Sequence, residues 1–179
     1  APQNIEEADE VLNGALFELV DREEFDLAVM LGEYAVSLPK FSSDEMRRML
    51  LINASQAFKW TGRTDEAIKL LDKEDWSSCS DKFTIAVKVI KNDFDAAIVT
   101  MKRIGSTGSV KMRDYARWPL FKEIRNNAAF LSTYESIFGE PLSVSVKQSM
   151  EDESDDLEPQ SSRPLVSLPA ADATLARAD

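Results

Sequence analysis

Apolar side chains recur every three or four positions from the start of the chain. Ile5, Ala8, Leu12, Ala15, Leu16 and Leu19 fall on one stripe of a helix. The polar run Asp21-Arg22-Glu23-Glu24 interrupts it, and a second stripe, Phe25, Ala28, Leu31, Ala35 and Leu38, stops before Pro39. Two helices joined by about four residues must lie antiparallel and side by side. The unit then repeats. Ser42-Ser43-Asp44 offers side-chain acceptors to the first N–H groups of a helix whose inner face is Met46, Leu50, Asn53, Ala54, Ala57 and Phe58. Gly62 permits the left-handed turn that ends it, and Asp65-Glu66 opens a shorter helix through Ala67, Ile68 and Leu71.

A third unit starts near Ser80-Asp81 and runs through Phe83, Ile85, Ala86, Val87 and Ile90. It turns at Lys91-Asn92-Asp93 and returns through Phe94, Ala97, Ile98, Met101 and Ile104. Ile85 to Ile90 is β-branched enough for a short strand, but a lone strand among helices would have no partner, so a helix is expected. Gly105 to Ser109 lacks the spacing of a phosphate-binding loop and reads as a connector. Beyond it, Met112, Tyr115 and Ala116 begin another helix, and Pro119 suits the first turn of a new one continued by Leu120, Phe121 and Ile124. Ala128 to Phe138 forms a last one, closed by Gly139 and Pro141.

Three segments share a pattern: Glu24-Phe-Asp-Leu-Ala28, Thr64-Asp-Glu-Ala67 and Phe94-Asp-Ala-Ala97 each open the second helix of a pair. They resemble the signature of tetratricopeptide repeats, in which a small Ala sits where the two helices of a pair cross closely. Leu51, Ser55 and Phe58 fill the large, small and aromatic slots of the family's first helix; Asp81, Ile85 and Lys88 depart from them. The alanines are 39 and 30 residues apart, against about 34 in the family, so the repeats are degenerate. Trp118-Pro-Leu-Phe-Lys-Glu-Ile-Arg125, with Phe130, also resembles a closing element found after such repeats in some bacterial proteins. The resemblance implies an all-α fold, a right-handed stack of antiparallel helix pairs (5–38, 44–72 and 80–104) with closing helices over 111–138. Phe25, Phe58, Phe83, Phe94 and Phe121 are expected to anchor the joints, each well-buried ring contributing roughly 1.5–3 kcal/mol. Residues 1–142 form the helical domain in this reading. Residues 143–179, with Met150-Glu-Asp-Glu-Ser-Asp-Asp156 and three prolines, read as a disordered acidic tail.

Composition removes most chemistry. There is no histidine, so Ser-His-Asp and Cys-His systems and the commonest metal ligand are unavailable. The single cysteine, Cys79, allows neither an intrachain disulfide nor a paired-cysteine metal site, and it reads as a small hydrophobe. Neither cofactor nor metal is expected. Asp93 with Asp95 is the nearest approach to an acid–base pair, and both read as turn and cap residues instead. The formal net charge of −11 repels phosphate backbones and anionic lipid. No apolar run of about 18 residues appears. Nucleic-acid binding and membrane insertion are therefore not expected, and a local basic patch at Lys111, Arg113, Arg117, Lys122 and Arg125 reads as a solvated helix face. The opening Ala-Pro-Gln lacks a Met, which suits a processed form or a fragment. The cytoplasm is the default compartment, with a periplasmic or secreted one open if Ala1 follows a removed signal peptide.

The family resemblance implies a concave groove, lined by the first helices, that holds a peptide or helix of a protein partner. By that analogy the groove residues are Asn13, Phe17, Met49, Ile52, Asn53, Gln56, Lys59, Trp60 and Lys82. Asn and Gln would hydrogen-bond a ligand backbone, with Phe17 and Trp60 as apolar anchors. A chaperone-tail clamp is not expected. Asn53 alone falls in one of its polar slots, while Phe17, Cys79 and Phe83 stand where Asn, Lys and Arg would be needed to hold a carboxylate. The competing reading is a regulatory or assembly fragment of a larger protein that forms homo-oligomers or packs on a sister domain.

Overall fold

The structure, a computed structural model, describes residues 2–143, with side chains from Ala8 onward. Every regular element among them is helical. In order they are α1 (Pro2–Asp21), α2 (Phe25–Ser37), α3 (Asp44–Trp60), α4 (Thr64–Leu71), α5 (Asp81–Ile90), α6 (Phe94–Ile104), α7 (Met112–Arg117) and α8 (Ala128–Phe138). Two 3-10 turns, Pro119–Phe121 and Ile124–Asn126, join α7 to α8. The tail read from 143 lies outside the described residues, except for Ser143.

α3 occupies the middle. It packs on α1, α2, α4 and α5, and its residues from Leu50 through Lys59 are all buried. A helix covered on every side carries few exposed polar positions, and the polar residues in this run, Asn53, Ser55, Gln56 and Lys59, lie inside with it. Its start is set by Ser43, whose hydroxyl accepts from Met46 N–H at 3.1 Å, with Asp44 and Glu45 in the first turn. Asp9 of α1 is buried as well; its carboxylate accepts from Ser42 N–H at 2.6 Å and ties α1 to the loop before α3.

Three turns share one geometry. After α1, Glu23 is left-handed (φ 62°); its N–H donates to Val20 O at 3.2 Å and Glu24 N–H to Leu19 O at 2.9 Å. After α3, Gly62 (φ 79°) donates to Lys59 O at 3.0 Å and Arg63 to Phe58 O at 2.8 Å. After α5, Asn92 (φ 60°) donates to Val89 O at 3.1 Å and Asp93 to Lys88 O at 2.9 Å. Each pair of bonds satisfies carbonyls that the helix end would leave bare. Gly62 adopts this conformation freely and Asn92 tolerates it, whereas Glu23 does so against its Cβ. The Glu23 carboxylate accepts from Lys122 Nζ, far along the chain. Five positions beyond each left-handed residue stand Ala28, Ala67 and Ala97, all fully buried.

α2 meets α3 through small residues: Ala28, Gly32 and Ala35 are its buried positions. A Cβ placed on Gly32 would lie 3.1 Å from Ala54 Cβ and 3.3 Å from its Cα, so the two helices touch almost backbone to backbone.

The closing segment departs from the sequence expectation. Pro119 begins a 3-10 turn, not a continuing helix. The Arg125 guanidinium folds back, donating to Tyr115 O at 2.9 Å and Trp118 O at 2.6 Å, and so satisfies the Tyr115 carbonyl, which Pro119, having no N–H, could not satisfy in a continued helix. Phe58, Phe83 and Phe121 are buried as expected; Phe94 is half-buried against the core, and Phe25 is half-buried without joining it. An aromatic cluster of Tyr115, Trp118, Phe121, Phe130, Tyr134 and Phe138 fills this end of the molecule.

Tyr115 is fully enclosed there, and its hydroxyl has no hydrogen-bond partner. Burial, then the charges of Asp114 and Asp81, push its ionisation well above the usual phenol value of 10.0. Tyr134 moves the same way, through burial and then Glu140. A phenol whose folded-state pKa is raised holds its proton more tightly when folded. That stability is complete below the ordinary phenol range and is lost as pH climbs through and beyond it. On alkaline titration the phenolate absorbance of Tyr115 should be delayed until the fold opens. Tyr115→Phe removes an unpaired buried hydroxyl and should leave stability unchanged or raise it by about 1 kcal/mol. A clear loss in denaturant unfolding would show that the hydroxyl has a partner.

Candidate functional site

The nine positions that the repeat analogy assigns to a groove differ widely in exposure. Ile52, Asn53 and Gln56 are 0%, 2% and 1% exposed. Asn53 donates to Asn13 Oδ1 at 2.9 Å, and Gln56 Nε2 donates to Asn53 Oδ1 at 2.9 Å, so three amides form a ladder from α1 into α3. The ladder ends on Gln56 Oε1, which is buried with no partner. Asn13, Met49, Trp60 and Lys82 are half-buried, and Phe17 is exposed.

Lys59 is committed within the fold. Its ammonium donates to Val89 O at 3.1 Å and Asn92 Oδ1 at 2.6 Å, and it pairs with Glu123 Oε2 at 2.7 Å. It also lies 5.2 Å from the Trp60 ring centroid and 6.0 Å from that of Phe94. Two oxygens accept its hydrogen bonds, a third supplies its counter-charge, and the side chain is 4% exposed. Nothing remains of this cation for a ligand.

The basic patch disperses in the same way. Lys122 is paired with Glu23, Arg125 holds two backbone carbonyls, and Lys111 Nζ donates to Thr107 O at 3.0 Å. Among the described residues no group of three or more Cys, Asp or Glu side chains is placed to hold a metal ion, and no helix is long and apolar enough to cross a membrane. Asp93 accepts from Ala96 N–H at 3.2 Å, the helix-capping arrangement.

The concentration of exposed apolar surface lies elsewhere, on the outer side of α1 and α2. Val11 is 73% exposed, Met30 67%, Tyr34 60% and Leu27 52%. Between the two helices runs a groove of about 660 Å³, lined by Ala8, Asp9, Val11, Leu12 and Ala15 on one wall and Leu31, Tyr34 and Leu38 on the other. Scattered single apolar residues on a surface are ordinary; here Val11 and Tyr34 stand exposed in the walls of a depression that is otherwise almost wholly apolar. The sequence carries the signal. α2, Phe-Asp-Leu-Ala-Val-Met-Leu-Gly-Glu-Tyr-Ala-Val-Ser, is apolar nearly all round, although one neighbouring face needs only Ala28, Gly32 and Ala35.

Charge is segregated to the same place. Residues 1–38 contain ten carboxylates and a single cation, Arg22, a net of −9. Residues 39–143 contain fourteen acidic and seventeen basic residues, a net of +3. Of the exposed acids on α1 and α2, Glu18 pairs with Arg22 and Glu33 with Arg63. Glu10 and Asp26 have no ion pair among the described residues. The groove thus lies in the acidic part of the chain. No protein-family model, curated protein or solved structure matches the chain.

Proposed function

We propose that the chain is a non-catalytic interaction module, built from tetratricopeptide-like helix pairs, that holds a helix or peptide of a partner protein. The observation that carries this reading is the exposed apolar groove between α1 and α2. Burial of such a surface is the main source of affinity in peptide recognition. The repeat-like architecture is supported by the three left-handed turns at Glu23, Gly62 and Asn92, each followed five positions later by a buried alanine. Because Ile52, Asn53, Gln56 and Lys59 are interior, the binding surface is placed on the outer side of the first pair and not along the first helices. Selection of peptides displayed on phage against the full chain tests this. Selected peptides should lose at least about tenfold in affinity on the double variant Val11→Gln, Tyr34→Gln, whose helical circular dichroism and midpoint of unfolding should be unchanged. Peptides indifferent to those substitutions would move the binding surface elsewhere, and failure to select any would remove the reading.

A second reading, self-assembly, is favoured by the opposite net charges of residues 1–38 and 39–143, which suit head-to-tail contacts between copies. Light scattering separates the two: a mass that stays monomeric as concentration rises excludes assembly.

A further inference from the structure

We propose that the α1–α2 groove receives a cationic amphipathic helix from another protein. This rests on the reading of the chain as an interaction module and adds the chemistry of its partner.

The groove lies between two helices joined by a three-residue turn, so its long axis follows theirs, and the body that fills such a channel is a third helix laid along it. No strand is present among the described residues, so an extended peptide would find no sheet edge to extend. The walls, Val11 and Ala15 against Leu31 and Tyr34, ask for an apolar stripe at helical spacing.

The charge of the first helix pair decides the partner's. Residues 1–38 carry a net charge of −9. On α1, Glu18 continues the Val11–Ala15 row one turn further on and pairs with Arg22; on α2, Glu33 pairs with Arg63. Glu10 and Asp26, both exposed, have no ion pair among the described residues. A helix with Lys or Arg on either side of its apolar stripe places cations against these carboxylates, whereas an acidic helix is repelled. The same argument disfavours a second copy docking face to face, since twofold symmetry would set one acidic helix pair against another.

Three synthetic helical peptides with one leucine stripe and Lys, Gln or Glu at every other position test the proposal against the full chain. By isothermal titration at low salt, the Lys peptide should bind about tenfold or more tightly than the Gln peptide, and the Glu peptide weakest. The preference should shrink as salt is raised. Val11→Gln with Tyr34→Gln, both in the groove walls, should weaken the Lys and Gln peptides alike, and Glu10→Lys with Asp26→Lys should weaken only the Lys peptide. Equal binding of the Lys and Gln peptides would overturn the cationic partner while leaving the groove as a docking surface. Lys-peptide binding that survives Val11→Gln, Tyr34→Gln would be general attraction to an acidic protein and would overturn the proposal. No binding by any peptide would overturn both the partner and the surface. Dimerisation abolished by Val11→Gln, Tyr34→Gln would give the groove to a second copy and overturn the proposal.

Discussion

Lys59→Met should lower the free energy of unfolding by about 3 kcal/mol. The substitution keeps an unbranched apolar stem of similar length and removes only the ammonium, whose side chain is 4% exposed. Val89 O and Asn92 Oδ1 then lose their donor in a site that water enters poorly. Glu123 loses its counter-charge but is 45% exposed and can be solvated, which places the loss at the lower end of the range for broken buried pairs. The three partners come from the end of α5, the turn after it and the closing segment, so the ammonium is a joint between elements distant in sequence. Urea unfolding of the variant measures the loss directly. A change below about 1 kcal/mol would mean that the ammonium is solvated in solution and the joint is held by other contacts.

Phe121→Ala should be more damaging, at about 3–5 kcal/mol. The ring is fully buried, with its centroid 4.9 Å from that of Tyr115, 5.6 Å from Trp118 and 6.3 Å from Phe130. Aromatic packing at these separations adds to simple area burial. The segment that bears Phe121 is a 3-10 turn with few backbone bonds of its own, so side-chain packing fixes its place. Removing the ring should release Trp118 toward solvent, visible as a red-shifted fluorescence and a weaker near-ultraviolet dichroism. A loss under about 1.5 kcal/mol would require the surrounding rings to collapse into the space.

The helices were legible in the sequence because one periodicity dominates, and Ile85–Ile90, ambiguous on propensity, was settled by the absence of any strand partner. The repeated turn was only partly legible. Gly62 announces a left-handed residue, but Asn92 does so weakly and Glu23 not at all, since its conformation is imposed by the helices it joins and by Lys122. The burial of four of the groove residues, Ile52, Asn53, Gln56 and Lys59, was not legible for a different reason. Periodicity tells which face of a helix is apolar, not how many neighbours surround it. Asn53, Gln56 and Lys59 look like solvent-facing ligands until α3 is seen enclosed by four helices and the closing segment reaches Lys59 through Glu123. Conversely, nothing in the sequence marks Val11, Leu27 and Met30 as exposed, because an apolar side chain with no partner looks in sequence like one that has found it.

The contact at Gly32 bears on how that outer face is presented. With no side chain between α2 and Ala54, α2 has no soft layer on which to slide or roll. A small rotation would carry the bulkier Val29 or Val36 toward the same spot. Leu27, Met30 and Tyr34 are consequently offered at one fixed height and azimuth. A visitor must match their spacing as it stands, and selectivity at this face follows from rigidity more than from adaptation.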